Sequence, residues 1–139
     1  MEYTLVDTGI WIAMFDPRDQ HRARVDEIAE YLDLCHLILP WPTLYETLRT
    51  RLTRNRNALQ SFEAYLKRPR ISFLDDEPYR ETAIDLCFSS GLQANRPLSM
   101  VDCLLRLVLD DTNIKINYLA TFNYSDFIDI CQKRQIEIM

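Results

Sequence analysis

Tyr3-Thr4-Leu5-Val6-Asp7-Thr8-Gly9-Ile10-Trp11 reads as a short buried strand that ends on a carboxylate and turns at a glycine. Tyr3, Leu5 and Val6 are apolar or β-prone, the run is short enough for an inner strand, and Thr8-Gly9 breaks it. The amphipathic residues after Gly9 point to a crossover helix and so to the first βα unit of an α/β domain. In open sheets of that kind, chemistry gathers outside the carboxyl ends of the strands. Asp7 stands at such an end.

Working outward, the same alternation repeats. Asp16-Pro17-Arg18-Asp19 is a turn, and Val25, Ile28, Ala29 and Leu32 fall at helical spacing, predicting a helix over about 20–34. Leu37-Ile38-Leu39 is a second buried strand, closed by Pro40-Trp41-Pro42. Thr43 opens a helix running to about Arg54, and another follows over 57–67. Ile71-Ser72-Phe73-Leu74 is a third strand. Residues 78–89 are helical, with Gly91 as the stop. Ser99 precedes the best helix of the chain, with Val101, Leu104, Leu105, Val108 and Leu109 on one face. Asn117–Thr121 is a fourth strand, Tyr124 to about Lys133 a helix, and Ile136–Ile138 a closing strand. Neither repeats nor a linker interrupt the pattern. The expectation is one domain over 1–139, a three-layer α/β/α sandwich around a mostly parallel five-stranded sheet.

Composition bounds the function. With 139 residues, 47% hydrophobic and 27% charged, the chain can bury a core without staples. A net charge of −5 gives no global pull toward nucleic acid or anionic membrane, although a local basic strip or a bound cation would suffice. Cys35, Cys87, Cys103 and Cys131 are widely spaced in apolar surroundings, without CxxC or zinc spacing, and read as reduced thiols. No signal segment or membrane-length apolar run is present, so a cytoplasmic location is expected.

Three further acids follow the pattern of Asp7. Glu46 lies in Thr43-Leu44-Tyr45-Glu46, Asp102 in Ser99-Met100-Val101-Asp102, and Asp126 in Asn123-Tyr124-Ser125-Asp126. Each stands three residues after a capping type, and a capping box accounts for such spacing by itself. However, a capping box favours Glu or Gln, whereas Asp102 and Asp126 are short, and Asp7 ends a strand with no evident capping role. In a parallel sheet the four would converge on one edge. Converging carboxylates repel unless a cation joins them, and Mg²⁺ or Mn²⁺ suits an all-oxygen donor set. Such a site can activate water toward a phosphodiester with one metal or two.

The order Leu5-Val6-Asp7-Thr8, Glu46 at a helix start, Leu98-Ser99-x-Val101-Asp102 and Thr121-Phe122-Asn123-x-x-Asp126-Phe127 resembles the PIN-domain ribonucleases, most closely the VapC-type toxins of toxin–antitoxin pairs. The resemblance spans nearly the whole chain. It implies a Rossmann-like α/β/α sandwich, a Mg²⁺/Mn²⁺ site held by Asp7, Glu46, Asp102 and Asp126, endonucleolytic cleavage of RNA, a homodimer and an antitoxin partner. Some PIN proteins carry an acid where this chain has Asn123, so the resemblance does not extend to a complete second metal site. Asn123 remains a neutral oxygen donor able to orient water.

Thr8, Thr121 and Ser99 are supporting candidates that position acid or water, against ordinary turn and cap duty. Residues 49–70 hold Arg49, Arg51, Arg54, Arg56, Lys67, Arg68 and Arg70 against Glu63, a local net of +6 (7 − 1). Arg49, Arg51 and Arg54 are candidates for RNA phosphate, with an acidic antitoxin tail or plain solvation as alternatives. Arg106, one turn after Asp102, is a candidate partner for it. Trp11, Phe15, Trp41, Tyr45 and Phe62 offer a dimer surface or stacking platform, with core packing expected for most. His21 and His36 are assigned no catalytic part. Gly9 excludes an Asp-x-Asp phosphotransferase, Thr121-Phe122-Asn123 replaces the late lysine of a receiver domain, and two glycines cannot make a dinucleotide loop. The competing classes are a catalytically silent PIN-like interaction module and a PIN nuclease of general RNA processing.

Overall fold

Residues 1–139 are described by a computed structural model. The sheet consists of β1 (Tyr3–Val6), β2 (His36–Pro40), β3 (Ile71–Leu74), β4 (Tyr118–Ala120) and β5 (Glu137–Ile138). All pairings are parallel and the order is β3-β2-β1-β4-β5, so β1 is central and the sheet reverses direction of winding beside it. That reversal puts a crevice at the carboxyl ends of β1 and β4.

The helices are α1 (Thr8–Phe15), α2 (Arg22–Leu34), α3 (Trp41–Thr47), α4 (Arg56–Leu66), α5 (Arg80–Leu92), α6 (Met100–Asp110) and α7 (Tyr124–Arg134). Side chains alternate across the strands, as a two-residue period requires. Val6, Leu37, Leu39 and Ala120 face one way, against Trp11, Val25, Leu44 and Phe62 of α1–α4. Leu5, Ile38 and Leu119 face the other, against Leu105, Val108 and Leu109 of α6 and Phe127 and Ile130 of α7. α5 packs on α6 through Ala83, Cys103 and Leu104. The expected three layers are present. Trp11, Phe15, Phe62 and Tyr65 form one aromatic knot, with Trp11 and Phe62 ring centroids 5.6 Å apart. Burying each such ring is worth about 2–3 kcal/mol.

Several expectations need correction. The first strand ends before Thr8-Gly9 as expected, but the glycine makes no turn: α1 begins at Thr8 and Gly9 lies in its first turn. The glycine gives the Phe122 ring room, because a Cβ would meet it at 3.3 Å and the ring would have to give by a few tenths of an ångström. The helix expected from Thr43 to Arg54 is two pieces. Pro42 sits in the first turn of α3, where a missing N–H costs nothing, so the helix starts at Trp41. It ends at Thr47, and Thr50 then caps a 3-10 turn, Arg51–Arg54, by accepting from the Leu52 N–H. Gly91 does not stop α5, which continues to Leu92 with Gly91 in ordinary helical backbone. Trp41 and Tyr45 are outside the core, with exposures of 39% and 69%, and Trp41 stacks on Phe73 at 4.7 Å. The four cysteines are free thiols, Cys35, Cys103 and Cys131 buried and Cys87 half-buried. No helix is long and apolar enough to cross a membrane.

Candidate active site

Asp7 is fixed by the sheet itself. Its N–H donates to the Ala120 carbonyl at 3.0 Å, extending the β1–β4 ladder by one residue and pinning the carboxylate at the crevice. Its side chain also has a role not expected from the spacing: it is the N-cap of α1, Oδ1 accepting from the Thr8 N–H at 2.7 Å. Oδ2 accepts from the Thr121 hydroxyl at 2.8 Å, and Thr121 Oγ1 accepts in turn from the Asn123 N–H at 3.0 Å. Only 6% of Asp7 is exposed. Burial pushes its carboxyl up to about 6, against the opposing hydrogen bonds from Thr121 and Thr8; the charges of Asp102 and Glu46 push the same way as burial.

Glu46 reaches the crevice from the far end of α3, not from a helix opening, since the helix starts earlier than expected. Thr8 Oγ1 donates to Glu46 Oε1 at 2.6 Å. Asp102 stands in the first turn of α6, where Ser99 caps by accepting from the Asp102 N–H at 3.0 Å. Capping and convergence therefore coexist at Asp102. Its pKa is raised by burial and by the nearby charge of Asp126, with the Ser99 hydroxyl opposing.

Asp7, Glu46 and Asp102 line one cavity of about 310 Å³ together with Thr8, Ser99 and Asn123. Asp126 stands one step back: it is absent from the wall but close enough to Asp102 to act on its charge. Asn123 precedes α7 without a side-chain cap, which leaves its amide to the cavity. The remaining wall includes two residues that sequence spacing did not single out. His21 stacks on Phe122 with centroids 4.1 Å apart, and both face the carboxylates. Nothing in the local sequence marks His21, because its neighbour Phe122 comes from the opposite end of the chain. Cavity size does not identify the site, since a larger one of about 650 Å³ lies among mainly apolar residues such as Tyr31, Leu34 and Tyr118.

Arg106 does not pair with Asp102. Its guanidinium grips Asp129 of α7 with two bonds, at 2.8 and 2.7 Å, and also donates to the Asp126 carbonyl at 2.7 Å. Arg49, Arg51 and Arg54 lie outside the acidic wall; Arg51 Nε pairs with Asp16 Oδ2 at 2.6 Å.

A five-stranded parallel sheet with three acids at its carboxyl edge belongs to a recognised class. The PIN domain model matches residues 4–132, and the chain belongs to that family. Two solved structures share the fold. One is VapC20 of Mycobacterium tuberculosis, described as a toxin that cleaves the sarcin–ricin loop: TM-score 0.69, 16% identity, 91% of this chain and 94% of that one. The other is VapBC2 of Rickettsia felis, bound to a DNA fragment from the promoter: TM-score 0.60, 14% identity, 99% of this chain and 97% of that one. No curated protein matches in sequence.

The donor set fits a hard divalent cation in kind: carboxylates, an amide and hydroxyls, one carboxylate buried at unfavourable charge. No three acidic, His or Cys side chains stand together at chelating range. An ion here would therefore keep much of its water, as Mg²⁺ does, or draw the carboxylates inward.

Proposed function

We propose that the chain is a Mg²⁺- or Mn²⁺-dependent endoribonuclease, a VapC-like toxin with a protein antitoxin as partner. The observation that carries this reading is the meeting of Asp7, Glu46 and Asp102, from three separate segments, on one cavity at the carboxyl edge of the sheet. Family membership supports it. So does the likeness in fold to a toxin described as cleaving the sarcin–ricin loop.

Asp7, Asp102 and Glu46 would hold the cation, with Asp126 adding charge near Asp102. Bound there, it would supply Lewis-acid stabilisation for a phosphodiester undergoing displacement. Thr121 fixes the Asp7 carboxylate and Thr8 fixes that of Glu46, so two of the acids are held by hydroxyl donors before any ligand arrives. Asn123 offers a neutral amide to orient water or a phosphate oxygen. In this reading one PIN-like domain over 1–139 acts in the cytoplasm as a homodimer.

One observation favours a second reading. The absence of a ready chelating trio suits a PIN-like interaction module without activity. Incubating purified protein with a mixed RNA pool in Mg²⁺, in Mn²⁺ and in chelator, beside Asp7→Asn, decides between them. Metal-dependent cutting lost in the variant supports the nuclease. No cutting in any metal, with a melting temperature unmoved by Mn²⁺, supports the module. A basic DNA-binding protein encoded just upstream would favour a toxin over a nuclease of general RNA processing.

A further inference from the structure

α1 carries a buried carboxylate at each end, Asp7 before its first residue and Asp16 after its last. Asp7 belongs to the acidic cavity. Asp16 does not, and it sits where a helix is least hospitable to an anion, beside the partial negative charge of the C-terminus. Two donors offset this. The Arg18 N–H donates to Oδ1 at 2.9 Å and Arg51 Nε to Oδ2 at 2.6 Å. They hold the Asp16 carboxyl below the usual carboxylate range despite its burial. Asp16 is 7% exposed at its side chain and Arg51 62%. The buried acid thus holds Arg51 by its Nε, with neither Nη group hydrogen-bonded within the chain.

Around this pair opens a cavity of about 510 Å³ whose wall includes Arg18, Arg51, Arg54 and Arg56, with Leu52 as its one hydrophobic member. The side chains of Arg18, Arg54 and Arg56 make no ion pair or hydrogen bond within the chain. Of the other cations of the 49–70 strip, three are engaged internally, Arg68 with Asp33, Lys67 with Glu63, and Arg70 with the carbonyls of Asp33 and Leu34, while Arg49 lies outside this cleft. Four guanidinium groups against one carboxylate give a local charge of +3 (4 − 1) in a chain of net −5. Such a cluster favours an anion, and the planar fork of arginine matches phosphate with two parallel bonds.

We propose that this cleft binds a backbone phosphate of single-stranded RNA, about one length of α1 from the acidic cavity. Eight helical residues span about 12 Å. The proposal rests on the ribonuclease reading and gives it a second anchoring point, at which Asp16 acts as a positioning residue for Arg51. An acidic peptide is the chemical rival. A docked peptide needs an apolar anchor at the centre of its interface, and here Leu52 is only 1% exposed. The wall therefore suits a polyanion better than a protein segment.

The test is fluorescence anisotropy of labelled single-stranded RNA in excess chelator, where nothing is cut. Wild type is compared with Arg51→Ala and with the double variant Arg54→Ala/Arg56→Ala, all at exposed positions. Binding roughly tenfold weaker is expected at low salt, with the salt slope smaller by about 0.7 per phosphate contact removed; melting should be unchanged in the double variant and lower in Arg51→Ala, which leaves the buried Asp16 with one donor fewer. Unaltered affinity and slope in both variants would overturn the cleft. Retained RNA binding with lost binding of a polyglutamate peptide would overturn it in favour of an acidic protein. Arginine-dependent binding by a wild type that cleaves no RNA would uphold the cleft while the nuclease reading fails. Metal-dependent cleavage with binding indifferent to the arginines would sink the cleft alone.

Discussion

Thr8 Oγ1 donates to Glu46 Oε1 at 2.6 Å, tying the first residue of α1 to the penultimate residue of α3. The bond joins two residues that line the acidic cavity and fixes the most mobile type of acid in the set. A charge-assisted hydrogen bond of this length is worth about 1.5–3 kcal/mol. Thr8→Val keeps the shape and removes the donor. It is expected to lower RNA cleavage at least tenfold and Tm by several degrees, and Thr8→Ser should restore most of both. Equal rates for all three proteins would mean that Glu46 does not take part.

The raised pKa of Asp7 has a definite sign in the metal-free protein. Its folded value of about 6 exceeds the ordinary 3.8, so the folded state holds the proton more tightly than the unfolded one. The stability attached to this group is full below about 3.8 and falls as pH rises toward 6 and beyond. Denaturant unfolding in chelator should show Asp7→Asn more stable than wild type at pH 7, by on the order of 2 kcal/mol. The two should converge by pH 4. A destabilised variant at pH 7 would mean that the Thr121 and Thr8 bonds need the full charge.

A cation reverses that order. Binding to the folded state alone stabilises by about 2.7 kcal/mol at a hundredfold excess over Kd. Wild type should therefore melt higher in Mn²⁺ than in chelator. Asp7→Asn and Asp102→Asn should each lose the difference, and Asp126→Asn only part of it, since Asp126 stands behind the wall. Thermal shift with a Mn²⁺ titration reads this directly. Full loss in Asp126→Asn would bring that residue into direct contact with the ion.

What the sequence made visible follows from period and position. β1, the layers and three of the cavity acids were legible because strand ends in a parallel sheet share one edge, whatever the loops do. Glu46 was found as a residue but misplaced in its helix. Pro40-Trp41-Pro42 looks like the end of a strand, and a proline in a first helical turn is also a start. The capping role of Asp7 is hidden because a glycine two residues on reads as a turn, whereas its missing Cβ makes room for Phe122 inside the first turn of α1. His21 and the partner of Arg106 were out of reach, since each is decided by an element distant in sequence. Local spacing favoured Asp102 for Arg106; the packing of α6 on α7 delivered Asp129 instead.

That last substitution of partners gives Arg106 a structural part with a functional edge. Its guanidinium is 17% exposed at the side chain, grips Asp129 with two bonds and holds the Asp126 carbonyl, so it fastens the first turn of α7 to α6. The Arg106 bonds hold the Asp129 carboxyl down to about 2. Arg106→Met keeps the stem and removes all three bonds. Half of Asp129 is in solvent, so little is lost there. The Asp126 carbonyl loses its charged donor but keeps its place in the helical ladder of α7, and a total of about 1–2 kcal/mol is expected, lowering Tm by about 3–6 °C. Asp129→Asn should cost less than half of that, because the bond to the Asp126 carbonyl survives. If Asp126 serves the cation through Asp102, Arg106→Met should also weaken Mn²⁺ in the thermal-shift titration, whereas Asp129→Asn should leave it unchanged. Equal Mn²⁺ shifts in all three proteins would confine Arg106 to holding two helices together.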